Sequence, residues 1–321
     1  MLKIYTDSDT DITPVEAAEY GYKLISMPYS VDAKTTYPYV DFETFDAHAF
    51  YDMLRGGVLP TTSAISKEQY VQYFEEFDSR AFYDMLRQGT LPTTSAISKE
   101  RYLEYFEPEF AAGNDILYVH FSRAMTVTFD AMDQAVAELR AKYPNCRFAE
   151  IDTKGITTIS YAIVRAVGDL HLAGRSLEEI LEWAKEEVDH YAMYFFADDL
   201  KFFRRSGRVS GLAATMGTLI GIRPIIYMSP EGKMVSCGKT KGRLKAMELL
   251  VERVAELGDH IKDHRFYIGH TDAPDLAQEV AEMMKERFGN DLSIEFVVTN
   301  PTAGSHSGPN GVGVCFHAIQ R

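Results

Sequence analysis

The chain is short of cysteine, of positive charge and of long apolar runs, and each shortage closes off a class of function. Three cysteines occur in 321 residues, Cys146, Cys237 and Cys315. They are far apart and odd in number, so neither a disulfide framework nor zinc-ligand spacing is present. Lys and Arg total 33 against 47 Asp and Glu, a net charge of −14. A general nucleic-acid binder draws its affinity from cations laid on phosphates, so no nucleic-acid partner is expected. No apolar stretch approaches the ~20 residues needed to span a bilayer. The opening MLKIYTDSDTD turns polar too early for a signal peptide. The expectation is a cytoplasmic protein that does not span a membrane, with a transient membrane contact left open.

Catalytic signatures are missing as well. Gly238-Lys239-Thr240 resembles the tail of a P-loop, but Lys233 stands where the first glycine belongs. No GxGxxG follows a strand, and there is no GxSxG elbow. His260 and His264 have metal-pair spacing without an HExxH glutamate, and Lys262 and Arg265 flank them. No metal site is assigned. Asp7, Asp9 and Asp11 lack the glycine and distal glutamate of a calcium loop and read as turn and cap.

What the chain does have is a near-identical tandem copy. Residues 49–75 and 81–107 differ only at Gly56/Gln88, Val58/Thr90, Gln69/Arg101, Val71/Leu103 and Gln72/Glu104. Each copy reads as an amphipathic helix, a glycine turn, a proline, a run of hydroxyls and a second helix. Ser66 and Ser98 suit the N-cap of that second helix. The Thr-Thr-Ser run offers hydroxyls and free N–H groups where a carboxylate or phosphate could sit. Plain capping is the competing reading. Two copies are too few for a solenoid, so this is a local duplication (49–80/81–112).

The composition, 46% hydrophobic and 25% charged, is that of a globular protein long enough for two domains. Strands are expected at 2–5, 23–31, 115–121 and 147–152, with helices at 129–143 and 158–172. Strand, hydroxyl-bearing turn and helix recur, which predicts an open parallel sheet with its ligand site at the strands' C-terminal ends. After Gly174 the texture changes. Strands at 193–197, 222–228, 235–238, 266–270 and 294–298 alternate with helices at 243–257 and 273–288. The fold class is therefore α/β in two domains. The change of texture places the domain boundary near residue 175, at 175/176. Gly304 to Gly311 read as a Gly-rich loop carrying His306, and glycines permit close approach to a ligand. Lys201, Arg204, Arg205 and Arg208 form a basic cluster that is either a solvated face or a dock for an acidic or phosphate-bearing partner.

Four stretches together resemble the DegV family of bacterial fatty-acid-binding proteins: TDSDTDI at 6–12, LPTTSAIS at 59–66 and 91–98, LKFFRRSGRVS at 200–210 and GSHSGPNGVG at 304–313. FSRAMTVTF at 121–129 is a degenerate match to the family's serine-rich turn. The resemblance implies an α/β protein of two domains, 1–175 a Rossmann-like three-layer unit with a parallel sheet and 176–321 a two-layer unit with a mixed sheet, with a long-chain fatty acid held between them. Its carboxylate would lie on Thr94, or on the duplicate Thr62, with Ser122 and His306. Thr93 and Ser95, or Thr61 in the first copy, would flank it. Arg123 replaces the second serine of the turn and offers a direct carboxylate pair; Val127 replaces a glycine. Arg205 and Arg208 match positions implicated in docking a separate acyl kinase, which would make acyl-phosphate for phospholipid synthesis. No cofactor is implied, and the protein itself would not be an enzyme. Two other readings compete: a regulatory or interaction protein with a degenerate lipid site, and a hydrolase using Ser122 or Thr94 with His306. Because the second copy runs directly into the strand at 115–121, Thr93, Thr94 and Ser95 are expected to line the site, with the first copy looped out and the reverse exchange as the rival.

Overall fold

The computed structural model describes residues 1–31, 34–36, 79–198, 200–210 and 221–321. The first tandem copy, with Thr61 and Thr62, lies outside them. In chain order the first half runs β1 (Leu2–Asp7), α1 (Pro14–Tyr20), β2 (Tyr22–Ile25), β3 (Tyr29–Val31), β4 (Lys34–Thr36), α2 (Ser79–Arg87), β5 (Thr93–Thr94), α3 (Lys99–Ala111), β6 (Asp115–His120), α4 (Thr128–Lys142) and β7 (Phe148–Asp152). The second half runs α5 (Thr158–Leu172), α6 (Leu177–Glu187), β8 (Tyr191–Phe196), α7 (Leu200–Ser206), β9 (Val209–Ser210), β10 (Ile222–Met228), β11 (Met234–Lys241), α8 (Arg243–Leu257), β12 (Phe266–His270), α9 (Pro274–Phe288), β13 (Ile294–Val298), α10 (Pro301–Ser307) and β14 (Val312–His317).

The first sheet has the order β2-β1-β6-β7 and is parallel throughout. Side chains alternate across a strand, and here the alternation divides two cores. Tyr5, Ile116 and Tyr118 face α3 and α4, where Phe106, Phe110, Phe129 and Met132 cover them. Ile4, Leu117, Val119 and Ile151 face the opposite way, onto α1 and α5. That gives the three layers expected of a Rossmann-like unit. The second sheet, ordered β13-β12-β14-β8-β10-β11-β9, is mixed: β12–β13 and β11–β9 are parallel, the other pairs antiparallel. Its Tyr194, Phe196, Ile268, Val314 and Phe316 pack under α8 and α9, the expected two layers.

Helix α5 joins the two units. Ile159, Tyr161, Ala162, Ile163, Val164 and Val167 are all buried, on every side of the helix. A helix apolar all round belongs in an interior. Here Met193, Tyr267 and Cys315 of the second sheet and Ile4 and Val119 of the first share one core with it. The boundary expected at 175/176 falls in the turn between α5 and α6.

A third, small antiparallel sheet, β4-β3-β5, differs from expectation. Sequence reading gave one strand over 23–31, its end weakened by Pro28, and a hydroxyl-bearing turn at 93–95 ahead of a helix capped by Ser98. The chain instead breaks at Pro28 and pairs Tyr29 with Thr94 and Ser30 with Thr93. The cap of α3 is Ser98, whose hydroxyl accepts from Arg101 N at 3.3 Å.

Candidate ligand cavity

Strands β1 and β2 run to one side of the first sheet and β6 and β7 to the other. The crevice outside the carboxyl ends of β1 and β6 is thus a topological switch point, where open α/β sheets place ligands. The turn after β1 builds the floor. The Asp7 carboxylate accepts from Asp9 N (3.0 Å), from the Tyr118 hydroxyl (3.1 Å) and from Phe121 N (3.3 Å), tying the two strand ends together. Asp11 Oδ1 accepts from Asn300 N at 2.9 Å and Nδ2 at 2.7 Å. Asn300 Oδ1 in turn accepts from Ala303 N at 3.0 Å and caps α10. The three aspartates, read from sequence as turn and cap, are buried: Asp7 caps the turn after β1, and Asp11 mounts α10 through Asn300. Burial pushes the Asp7 and Asp11 carboxyls up to about 7. Burial, then the charges of Asp7 and Asp11, raises Asp9 well above the usual carboxylate range.

Helix α10 corrects another expectation, since Pro301–Ser307 is helical rather than a loop. Asn300 at the cap and Pro301 at the first helical position are sufficient start signals. Gly304 sits mid-helix because α2 leaves no room: a Cβ there would lie 2.6 Å from the Tyr83 hydroxyl and 3.0 Å from the Phe82 ring. His306 near the end of α10 puts Nε2 2.9 Å from Thr94 Oγ1. Its Nδ1 is buried with no hydrogen-bond partner among the described residues. Burial, then the nearby Arg208 and Arg205, depresses the imidazole to about 3. The ring is therefore neutral at physiological pH. Arg205 donates to Pro92 O and, at 3.2 Å, to Ser305 O, clamping the backbone just before Thr94 to the backbone just before His306.

These groups form the polar end of a cavity holding about 1000 Å³ of empty space, its open mouth included. Met27, Phe121, Met125, Met193, Phe195, Phe203, Met228 and Met234 supply an apolar wall; Thr94, Ser95, Thr126, Thr128, Thr157, Thr271 and Thr302 supply hydroxyls. Asp9, Arg208 and His306 are the charged or titratable groups beside Thr94 and Ser95, and His270 lies farther along the wall at the end of β12. Five methionines on one wall give an adaptable apolar surface.

Not every expected residue arrives there. Thr93 is exposed, because neighbours on a strand point to opposite faces. Ser122 is buried, but its hydroxyl donates to Gly232 O at 2.8 Å and accepts from Ala124 N at 3.2 Å, which locks the 229–233 turn instead of lining the cavity. Arg123 points outward and forks onto Asp133 at 2.9 and 3.1 Å, with Glu150 at 2.5 Å. With both guanidinium arms spent on carboxylates of this chain, its assignment to a ligand carboxylate is corrected. Arg208 is on the cavity wall and Arg205 braces it. Asp259, His264 and His317 bring donor atoms within 4.8 Å of one another. The rings of His264 and His317 are stacked at 3.9 Å with planes 12° apart, presenting faces to each other rather than converging lone pairs. Sequence reasoning missed Asp9 and Thr302 as cavity residues; three acidic residues at a strand end were the signal for the first, and nothing marked the second.

Fold and site define a class: a two-unit α/β protein with a deep apolar cavity between its sheets, ending in a neutral histidine–threonine pair. The chain belongs to the DegV family, whose profile, described as "uncharacterised protein, DegV family", matches residues 75–318. A DegV domain-containing protein of Clostridium perfringens is 31% identical over 314 residues, covering 98% of this chain and 96% of its own. Among solved structures, a fatty-acid-binding DegV family protein from Thermus thermophilus superposes with a TM-score of 0.77 at 19% identity, covering 99% of each chain. The fatty acid kinase (Fak) B3 protein of Streptococcus pneumoniae, loaded with linoleic acid, gives 0.75 at 16% identity, again over 99% of each chain. No helix among the described residues is long and apolar enough to cross a membrane.

Proposed function

We propose that the protein binds a long-chain fatty acid, tail along the methionine-rich wall and carboxylate at Thr94 and His306, and presents that carboxylate to a separate ATP-using kinase. The observation that carries the reading is the cavity itself: a long apolar wall closed at one end by hydroxyls and a neutral imidazole. Such a site wants a molecule with an apolar body and one small polar head. The bound fatty acids of the Thermus and Streptococcus relatives support the choice of ligand, and the kinase association of the latter supports the partner. A hydrolase needs a third group to orient the histidine, and no described residue bonds His306 Nδ1.

Native mass spectrometry of the purified protein tests the ligand. A bound long-chain carboxylic acid is expected, with most of its surface buried. Protein that carries no fatty acid and takes none up from solution overturns the reading. Docking is proposed on the basic cluster that includes Arg205 and Arg208. Since Arg205 also clamps Pro92 and Ser305, the exposed Arg204 of the same helix is the cleaner probe. Arg204→Glu is expected to keep its lipid and to lower kinase-dependent acyl-phosphate formation several-fold, because rim charges act mainly on association rate.

A further inference from the structure

We propose that Asp9 is a neutral carboxylic acid in the loaded protein and donates a hydrogen bond to the bound carboxylate, so that loading and protonation of this one side chain are linked. The inference rests on the fatty-carboxylate reading of the cavity.

Asp9 lies on the cavity wall and is 3% exposed. Its Oδ1 has no hydrogen-bond partner among the described residues. A buried polar oxygen left unpaired is costly, so this wall is incomplete until something meets it. The Thr302 side chain lies beside the same carboxyl, its hydroxyl donating to Met27 O at 3.1 Å. Thr302 and His306 are four apart on α10, which places their side chains on one face about 5–6 Å apart. Asp9, Thr94 and His306 therefore line the same cavity, with Thr302 and His306 on one face of α10. One ligand oxygen meets Thr94 and His306, and the other meets Asp9.

The charges decide the protonation state. An ionised Asp9 would face the incoming carboxylate as a second buried anion, and two such charges at close range do not both persist. A protonated Asp9 instead makes an O–H···O⁻ bond, among the stronger kinds. The groups facing Asp9 act in the same direction with two exceptions, the Thr302 side chain and Arg208. From its own turn Asp7 and Asp11 oppose ionisation, and from the stretch after α7 Arg208 favours it. From α10 His306 is neutral. From β12 His270 is held toward its neutral form by burial, and its Nδ1 accepts from Ala273 N at 3.3 Å. Arg208 also faces His306, so a ligand carboxylate placed there shares its charge and weakens the one cationic influence favouring an Asp9 anion.

The sign follows. Raising pH ionises Asp9 in the free protein, and the fatty acid must then restore a proton to bind, so affinity falls, by up to about tenfold per pH unit for one linked proton. The test is calorimetric titration of delipidated full-length protein with a fatty acid below its aggregation concentration, from about pH 6 to about pH 10. Each point is run in two buffers of different ionisation enthalpy to count protons. Wild type is expected to take up a proton on binding and to lose affinity toward alkaline pH. Asp9→Asn cannot ionise there and is expected to take up fewer protons and to lose less affinity than wild type, any remainder coming from Asp7 and Asp11, which titrate near 7. A fatty alcohol of the same length should show neither effect with either protein. Identical pH profiles for wild type and Asp9→Asn overturn the proposal and leave the fatty-acid reading intact. Absence of fatty-acid binding at every pH overturns that reading and this inference with it. Should Asp9→Asn fail to fold, the proton count on wild type decides alone, and a count of zero across the range overturns the proposal.

Discussion

His306 shows how one environment sets a residue's chemistry. With Nε2 on Thr94 and Arg208 and Arg205 nearby, its imidazole stays neutral down to about pH 3. It can orient a carboxylate by hydrogen bonding but does not pair with it as a cation. His306→Ala is expected to lower acyl-phosphate formation by a partner kinase by about tenfold or more, the loss of a bond to a charged group, while tail binding weakens less. Phosphorylation at the wild-type rate would remove His306 from the role. Ser122 makes the opposite case. Its position after β6 is legible in sequence, but the direction of its hydroxyl is not, because the partner, Gly232 O, lies 110 residues away. Ser122→Ala is expected to cost about 1–3 kcal/mol of stability by stranding that carbonyl, seen as a lower denaturation midpoint, with fatty-acid content unchanged. Loss of lipid at unchanged stability would return Ser122 to the cavity.

Among the elements, those with a strong period were readable and those held by distant partners were not. Helix α5 and strands β10, β12 and β13 stand where their apolar patterns put them, since 15 residues of α5 or seven of β10 carry enough side chains to define a face. The two-residue β5 and the seven-residue α10 carry too few. What fixes β5 is pairing with β3, and what fixes α10 is a mount made by Asp11 through Asn300. The same two elements carry Thr94 and His306, so the least legible structure positions the most functional residues. Asn300→Ala is expected to cost about 1–2 kcal/mol, the usual loss for a helix cap. It should also reduce fatty-acid affinity by letting His306 drift from Thr94. A variant destabilised to that degree but with wild-type affinity would show that β5, not the cap, sets the His306 position.

At the scale of the molecule, the polar mount between the sheets should leave a mark on stability. Asp7 and Asp11 titrate near 7 in the folded chain against 3.8 for the free side chain. Between those values the folded state holds more protons than the unfolded one, so their contribution to stability falls as pH rises through about 4 to about 7 and is level above. Asp11→Asn keeps an oxygen for Asn300 but cannot titrate. Stability measured by denaturant should therefore fall less steeply over that window in the variant, by up to about 1.4 kcal/mol per pH unit. Parallel pH profiles for the two proteins would mean that Asp11 is ionised throughout.

The tandem copy poses the last question at this scale, because two near-identical segments compete for one place in the fold. The second copy occupies it: α3 buries Tyr102, Phe106 and Phe110 against the first sheet and leads directly into β6, and Thr94 reaches His306. Local sequence cannot make that choice, since the first copy offers Tyr70 and Phe74 at the matching positions and the same Thr-Thr-Ser run. The choice is made by connection. The second copy needs only the short turn after α3 to enter β6, whereas the first would have to carry the second copy as an insertion. An insertion of that size raises loop-closure cost by only about 0.6 kcal/mol per doubling of length, so the preference is modest and belongs to the whole chain rather than to either segment. Thr94→Ala is accordingly expected to lower fatty-acid affinity by about tenfold to a hundredfold, the worth of a hydrogen bond to a charged group, and Thr62→Ala to leave it unchanged. Equal, partial losses in both single variants, with full loss only in the double variant, would mean that the copies exchange in solution. Loss in Thr62→Ala alone would overturn the assignment of the site to the second copy.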